Sequence, residues 1–167
     1  MTRMLRRLNF WPVLVLNACA TTPKVWTAGF PRSGASMTND QRLEQYSKFI
    51  PSQVHGDFVT VLEGKEDVRY SISSYKPVFR ALDPKIESHL NPLEKNERYS
   101  LYAAGATAVL SAEAYRPNLD KRQRYSAIAG AVIAFGLQRL YAWWAADERD
   151  AVMSAMRTAL DKRLFPQ

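Results

Sequence analysis

Residues 124–146 read RYSAIAGAVIAFGLQRLYAWWAA, an almost uninterrupted apolar run long enough for about six turns of helix. Its small residues are Ala127, Gly130, Ala131 and Ala134, and its large ones are Ile128, Val132, Phe135, Leu140, Tyr141 and Trp144. Small residues about four positions apart let two helix backbones approach closely. The run therefore predicts a helix that packs tightly on a neighbouring helix.

The segment before this run has the same character. Residues 98–115 place Gly105, Ala108 and Ala112 on one stripe, with larger side chains at Tyr102, Val109 and Leu110. Residues 116–120, RPNLD, are enough to reverse the chain direction. We therefore expect an antiparallel helical hairpin, buried in the domain as its core element.

Two flanking regions complete the predicted fold. On the C-terminal side, Asp147 or Asp150 opens a last amphipathic helix whose apolar stripe packs on the hairpin; the stripe is Val152, Met156, Ala159, Leu160 and Leu164. On the N-terminal side, Thr38 or Asn39 caps a helix that runs to about Phe49 and is ended by Pro51.

Alternating residues over 58–62 and 68–72, separated by Glu63-Gly64-Lys65-Glu66, predict a β-hairpin. Pro77, Pro84 and Pro92 restrict residues 76–97 to short helices over 78–82 and 84–90. The fold class is α+β and mainly helical: a small β-hairpin, an antiparallel helical hairpin and a C-terminal amphipathic helix.

The helical hairpin admits a second interpretation. Residues 126–146 are long enough to cross a bilayer, and Tyr141, Trp143 and Trp144 resemble an interfacial aromatic belt. Gln138 and Arg139 interrupt the run, and an arginine deep in a membrane helix costs about 2.5 to 3.5 kcal/mol. A soluble hairpin is favoured, and an integral membrane protein with a two-helix hairpin stays as an alternative.

Composition limits the classes of function. The chain has 167 residues, 23 of them Lys or Arg, 16 Asp or Glu, and one Cys. Without Arg3, Arg6 and Arg7 the balance is 20 basic to 16 acidic residues, too mild for a nucleic-acid-binding face. A single cysteine excludes an intramolecular disulfide and a Cys-rich metal site.

The N-terminal segment has the layout of a signal peptide. Residues 1–7 carry three arginines and no acid, and residues 8–16 are mostly apolar but too short to span a bilayer. Leu16-Asn17-Ala18-Cys19 resembles the lipobox of bacterial lipoproteins, although Asn17 and Pro12 depart from the usual pattern. A mitochondrial transit peptide is the rival interpretation, because no acidic residue precedes Asp40.

The lipoprotein resemblance implies specific roles. Leu16 and Ala18 would be read by the signal peptidase, and Cys19 would receive diacylglycerol and become the first mature residue. Ala20 resembles sorting to the outer membrane, with the domain in the periplasm. The expected division is a signal peptide over 1–18, a lipidated N-terminus and flexible tether over 19–38, and one globular domain over 39–167.

Candidate chemistry outside this segment is sparse. His55, Asp57 and His89 would have to converge in a cleft to form a catalytic site, and neither histidine lies in a recognisable motif. Glu63, Glu66 and Asp67 cluster at the β-hairpin turn without the spacing of an EF-hand. We expect no catalytic residue, no metal site and no cofactor.

One charged patch has a possible ligand. Arg116, Lys121, Arg122 and Arg124 lie at the expected tip of the helical hairpin, where they could meet the phosphates of lipopolysaccharide or anionic lipid. A solvated loop is the simpler interpretation of such a run.

The sequence thus favours a non-enzymatic, lipid-anchored binding or scaffolding module of the cell envelope. Its partners would be the membrane, through the N-terminal lipid, and another envelope protein, but no nucleic acid. The alternatives are a lipid-anchored immunity or inhibitor protein against a toxin or cell-wall hydrolase, and an enzyme acting on envelope polymers.

Overall fold

The computed structural model describes residues 22–166 and confirms the α+β, mainly helical fold class. The described chain forms a 3-10 turn, four helices and three strands. In chain order they are the 3-10 turn (Gly34–Ser36), α1 (Asn39–Phe49), β1 (Pro51–Val54), β2 (Phe58–Glu63), β3 (Glu66–Ser71), α2 (Ile72–Leu82), α3 (Pro84–Ala114) and α4 (Lys121–Leu164).

The N-terminal half of the domain is a helix followed by a small sheet. Thr38, one of the two predicted caps, begins α1, and it forms a capping box with Gln41. β2 and β3 form the expected hairpin, whose turn needs the positive φ of Gly64 at +66°. A third strand that the sequence did not reveal, β1, pairs antiparallel with β2, so the strand order is β1-β2-β3.

The core lies between the sheet, α1, α2 and the C-terminal part of α4. Val152, Met156, Leu160 and Leu164 recur every four residues along α4 and are completely buried. They belong to the same cluster as the sheet residues Val59 and Val61 and the large side chains Phe49, Tyr75, Phe79, Ile86 and Leu93. The apolar stripe predicted for residues 152–164 is therefore buried, except that Ala159 is only half-buried. Its expected packing on the helical hairpin is wrong, because the stripe packs on the sheet, α1 and α2 instead.

Two helix boundaries were predicted wrongly because of prolines. Pro77 lies inside α2 and Pro92 lies inside α3, which runs without interruption from Pro84 to Ala114. A proline in a helix interior removes one backbone hydrogen bond and costs about 3 kcal/mol. The burial of Leu90 and Leu93 on either side of Pro92 offsets that cost.

The break expected at Asp147 or Asp150 is also absent, and α4 is continuous across both residues. Buried positions continue through the expected boundary, from Ala145 to Val152 and Met156. Because they keep helical spacing, one uninterrupted helix serves both the hairpin and the core.

Residues 22–38 pack on the domain and differ here from the expected flexible tether. Lys24 forms a parallel bridge with Tyr70, its N–H donating to the carbonyl of Arg69. Trp26 is buried and makes edge-to-face contacts with Phe49 and Tyr75.

The antiparallel hairpin of α3 and α4 is confirmed, but its environment is not the predicted one. Residues 98–144 extend from the domain as two helices and a turn, here called the arm. The buried contact between its helices consists of Ala103, Ala114, Ala127 and Ala134. The stripe of Gly105, Ala108 and Ala112, predicted to mediate that contact, is exposed.

Candidate functional site

The arm carries large apolar side chains that the fold does not cover. Leu101 is 70% exposed, Val109 69%, Val132 66% and Ile133 65%. The others on the arm that are exposed are Tyr99, Tyr102, Tyr115, Tyr125, Ile128, Phe135, Leu137, Leu140, Trp143 and Trp144. Contiguous exposed apolar surface of this kind marks an interaction site.

The apolar surface has long uncharged stretches on both helices, although Arg139 interrupts the run of α4. Residues 99–112 of α3 and 125–138 of α4 contain no Asp, Glu, Lys or Arg. The α4 stretch is apolar around its circumference, although α3 covers only one side of it. A helix that is hydrophobic all round is normally buried all round, so the arm has the surface of an element with a missing neighbour.

One side of the arm is concave. A groove of about 620 Å³ lies between the two helices near the tip. Its apolar lining includes Ile128, Val132 and Phe135 of α4, and its polar lining includes Thr107 and Arg124.

The predicted basic patch is at the tip of the arm, as expected. Arg116 pairs with Glu113 at 2.9 Å, and Asp120 accepts a hydrogen bond from the N–H of Gln123 to cap α4. Among residues 22–166, the ion pairs include Arg116 but not Lys121, Arg122 or Arg124. The tip therefore offers positive charge next to the apolar surface.

A polar cluster fixes the base of the arm. Glu97 of α3 accepts hydrogen bonds from Arg149 of α4 and from the N–H of Gly56, both at 2.8 Å, and lies 3.1 Å from Nδ1 of His55. Burial alone would raise the pKa of Glu97, but these hydrogen bonds lower it to about 2. Glu97 is thus an ionised acceptor that ties the β1–β2 loop to both long helices.

The other candidate catalytic residues do not assemble around this cluster. His89 pairs with Glu148 at 2.8 Å, so the two histidines have different carboxylate partners. The backbone carbonyl of Asp57 accepts a hydrogen bond from the N–H of Ile72. In the chain from residue 22 to residue 166, no group of three or more His, Cys, Asp or Glu could hold a metal ion.

The acidic β-hairpin turn has local partners. Glu63 accepts a hydrogen bond from the hydroxyl of Tyr70, whose pKa is raised to about 12 by burial and by this carboxylate. Asp67 accepts a hydrogen bond from Ser52 at 3.1 Å. These contacts tie the turn to its own sheet.

The candidate lipidation residues Leu16, Ala18 and Cys19 lie outside the described residues. The exposed arm surface was missed because the apolar pattern of 124–146 was interpreted as burial within the domain. The all-round apolar character of residues 127–137 was the available signal. Among the described helices, none combines the length and apolar character that crossing a membrane requires.

Comparison of the chain with protein-family models, curated proteins and solved structures finds no match. The function is therefore inferred from the residues themselves.

Proposed function

We propose that the protein is a lipid-anchored, non-catalytic binding module of the bacterial cell envelope and that the arm is its binding element. The observation that carries this proposal is the concentration of exposed large apolar side chains on residues 98–144. Leaving so much apolar surface in water is unfavourable by roughly 25 cal/mol per Å², so the arm has a strong tendency to be covered.

The proposed lipid anchoring in the cell envelope rests on the lipobox-like Leu16-Asn17-Ala18-Cys19. Five peptide links separate Cys19 from Lys24, which pairs with β3, and they span at most about 18 Å. A lipid on Cys19 would hold the domain close to the membrane, which favours envelope partners located at that surface.

The non-catalytic part rests on the state of the candidate catalytic groups. Catalysis by His55, Asp57 and His89 would require them to converge in one cleft. His55 pairs instead with Glu97 at the base of the arm, and His89 pairs with a different carboxylate, that of Glu148.

Lipid attachment at Cys19 and localisation to the outer membrane are tested by intact mass and membrane fractionation of the full chain in a Gram-negative host. We expect an acylated chain beginning at Cys19 in the outer-membrane fraction, and a Cys19→Ser variant that loses both acylation and sedimentation. An unmodified wild-type chain, or a Cys19→Ser variant that sediments as the wild type does, contradicts the proposed lipid anchoring.

The binding element is tested by placing a photocrosslinking residue at Val132 or Ile133 of the arm, with Leu43 of α1 as control. Leu43 is 60% exposed, close to the exposure of the arm positions. We expect protein adducts in cells from at least one arm position and none from position 43. Adduct yields that are nil or equal at all three positions contradict the proposal.

A further inference from the structure

The apolar surface of the arm has a heptad pattern on the side opposite the groove. In α4, Ile133, Leu137, Leu140 and Trp144 are spaced alternately by four and three residues. Tyr99 contacts Tyr141, which contacts Trp144, so Tyr99 lies on this side. Tyr102, Ala106 and Val109 continue the same spacing along α3. These residues are here called the outer seam.

A second seam, displaced by one residue, is already filled. Positions 127, 131, 134, 138, 141 and 145 of α4 repeat the same spacing and include the buried residues Ala127, Ala134 and Ala145. A helix with two adjacent heptad seams packs on two neighbours, as in a four-helix bundle. Within the arm, each helix packs on the other helix as its first neighbour. No second neighbour within the described chain covers the outer seam.

From this pattern we infer that a second copy of this chain covers the outer seam, so that two arms form a four-helix bundle. The inference rests on the proposed role of the arm as the binding element. Both arms present the same residues in such a pair, as a two-fold symmetric interface requires.

The exposed area suits a dimer. The large residues of the outer seam expose roughly 500 Å², if a fully exposed side chain offers about 200 Å² when aromatic and about 100 Å² when aliphatic. A standard interface takes about 800 Å² from each partner, and the small and polar residues beside the seam supply the remainder.

The charged ends of the seam indicate which way the two arms run. On the faces of the outer seam, α3 has Lys95 one turn before Tyr99 and Glu113 one turn after Val109. On α4, Asp147 lies one turn after Trp144 at the base, and Arg122 lies three turns before Ile133 at the tip. When two arms run antiparallel, Arg122 lies beside Asp147 of the second copy, and Glu113 beside its Lys95. Each contact joins opposite charges.

A single two-fold axis satisfies both contacts. Along α4, the midpoint between positions 122 and 147 falls between Ala134 and Phe135. Along α3, the midpoint between positions 95 and 113 is Ala104. Within the arm, Ser100 donates to the carbonyl of Gln138, and the side chain of Leu110 lies against Gly130. Between these two contacts, Ala104 of α3 lies about opposite Ala134 of α4. The midpoints of both charge pairs therefore fall at the same position along the arm, where one two-fold axis can pass.

The test uses co-expression of two differently tagged full-length chains, one with Arg122→Cys and the other with Asp147→Cys. A short bifunctional maleimide should join the two tags, whereas either variant expressed alone should give only the background of the unsubstituted chain. Self-adducts of Arg122→Cys alone would overturn the antiparallel arrangement. Absence of the mixed adduct would overturn the dimer.

Val132 is the matched control for Ile133, because the two residues have nearly equal exposure. Val132 lies on the groove side of the arm, and Ile133 lies on the side of the outer seam. In the cysteine pair, Ile133→Asp should lower the adduct yield at least about tenfold, since it places a carboxylate in the bundle core. Val132→Asp should change the yield less than about twofold, because its position stays outside that core. Equal losses would overturn the seam as the contact.

The crosslinks from Ile133 separate this inference from the proposed function. An adduct of twice the chain mass supports the dimer. An adduct with a different protein and none with the chain itself overturns the dimer and leaves the binding role intact. No adduct from either arm position overturns both.

Discussion

The carboxylate of Glu97 lies 2.8 Å from the guanidinium of Arg149, and this ion pair joins α3 to α4 where the arm leaves the domain. Arg149 also donates from Nε to the carbonyl of Val54 at 2.9 Å, which brings the end of β1 into the same joint. The joint fixes the two long helices to the sheet and thereby positions the base of the arm.

Removing the charge of Glu97 should weaken this joint. The folded state lowers the pKa of Glu97 from 4.5 to about 2, so the carboxylate stabilises the fold above pH 4.5, and this contribution is lost as the pH falls through 2. At pH 7, Glu97→Gln should lower the free energy of unfolding by about 2 to 3 kcal/mol in urea titrations.

The difference between Glu97→Gln and the wild type should shrink as the titrations are repeated from pH 5 down to pH 2.5. Glu94 is the control, since it pairs with Arg98 on the surface of α3, and Glu94→Gln should cost less than about 0.5 kcal/mol. A Glu97 variant as stable as the wild type at pH 7 would show that the joint is not stabilising.

Trp26 should prove to be part of the core. It packs against Phe49, Tyr70 and Tyr75, and its Nε1–H donates to the carbonyl of Gly29 at 3.0 Å. Trp26→Ala should lower the free energy of unfolding by about 3 to 4 kcal/mol, measured by chemical denaturation.

Phe30 lies in the same segment but is 55% exposed. Phe30→Ala should therefore change the stability by less than about 0.5 kcal/mol. Equal, small effects of the two substitutions would mean that the segment is the flexible tether expected from its composition.

Two glycines should respond in opposite directions to a single methyl group. A Cβ on Gly34 would lie 1.9 Å from the carbonyl oxygen of Leu164, whereas a Cβ on Gly105 would meet no atom within 4 Å. Gly34→Ala should destabilise the protein by about 2 kcal/mol through this clash. Gly105→Ala should stabilise it by up to about 1 kcal/mol, because alanine favours the helix.

Thermal unfolding of both glycine variants, followed by circular dichroism, checks the pair. A Gly34→Ala protein with an unchanged midpoint would contradict the close contact between the 3-10 turn and the end of α4.

Local signals in the sequence were sufficient for the elements that depend on local contacts. Thr38 caps α1 with Gln41 three residues away, and Gly64 closes the β2–β3 turn between strands that pair directly. The Glu97 joint depends instead on His55 and Arg149, which are 42 and 52 residues distant, so no local pattern indicates it.

The two errors in helix boundaries have a common cause, because tertiary packing overrides local preference. Pro92 does not end α3, and Asp147 does not start a new helix, since buried side chains on both sides of each residue keep one helix continuous. The exposure of Val132 and Ile133 was missed because an apolar helix is normally buried within its own fold.

The most direct test of the arm as a binding element is its accessibility in the cell. A membrane-impermeant maleimide that enters the periplasm is applied to intact cells producing Val109→Cys, with Leu43→Cys and the unsubstituted chain as controls. We expect position 109 to stay unlabelled in cells and to react after denaturation, while position 43 reacts in both states. Labelling of position 109 in cells to the same extent as position 43 would contradict the role of the arm as the binding element.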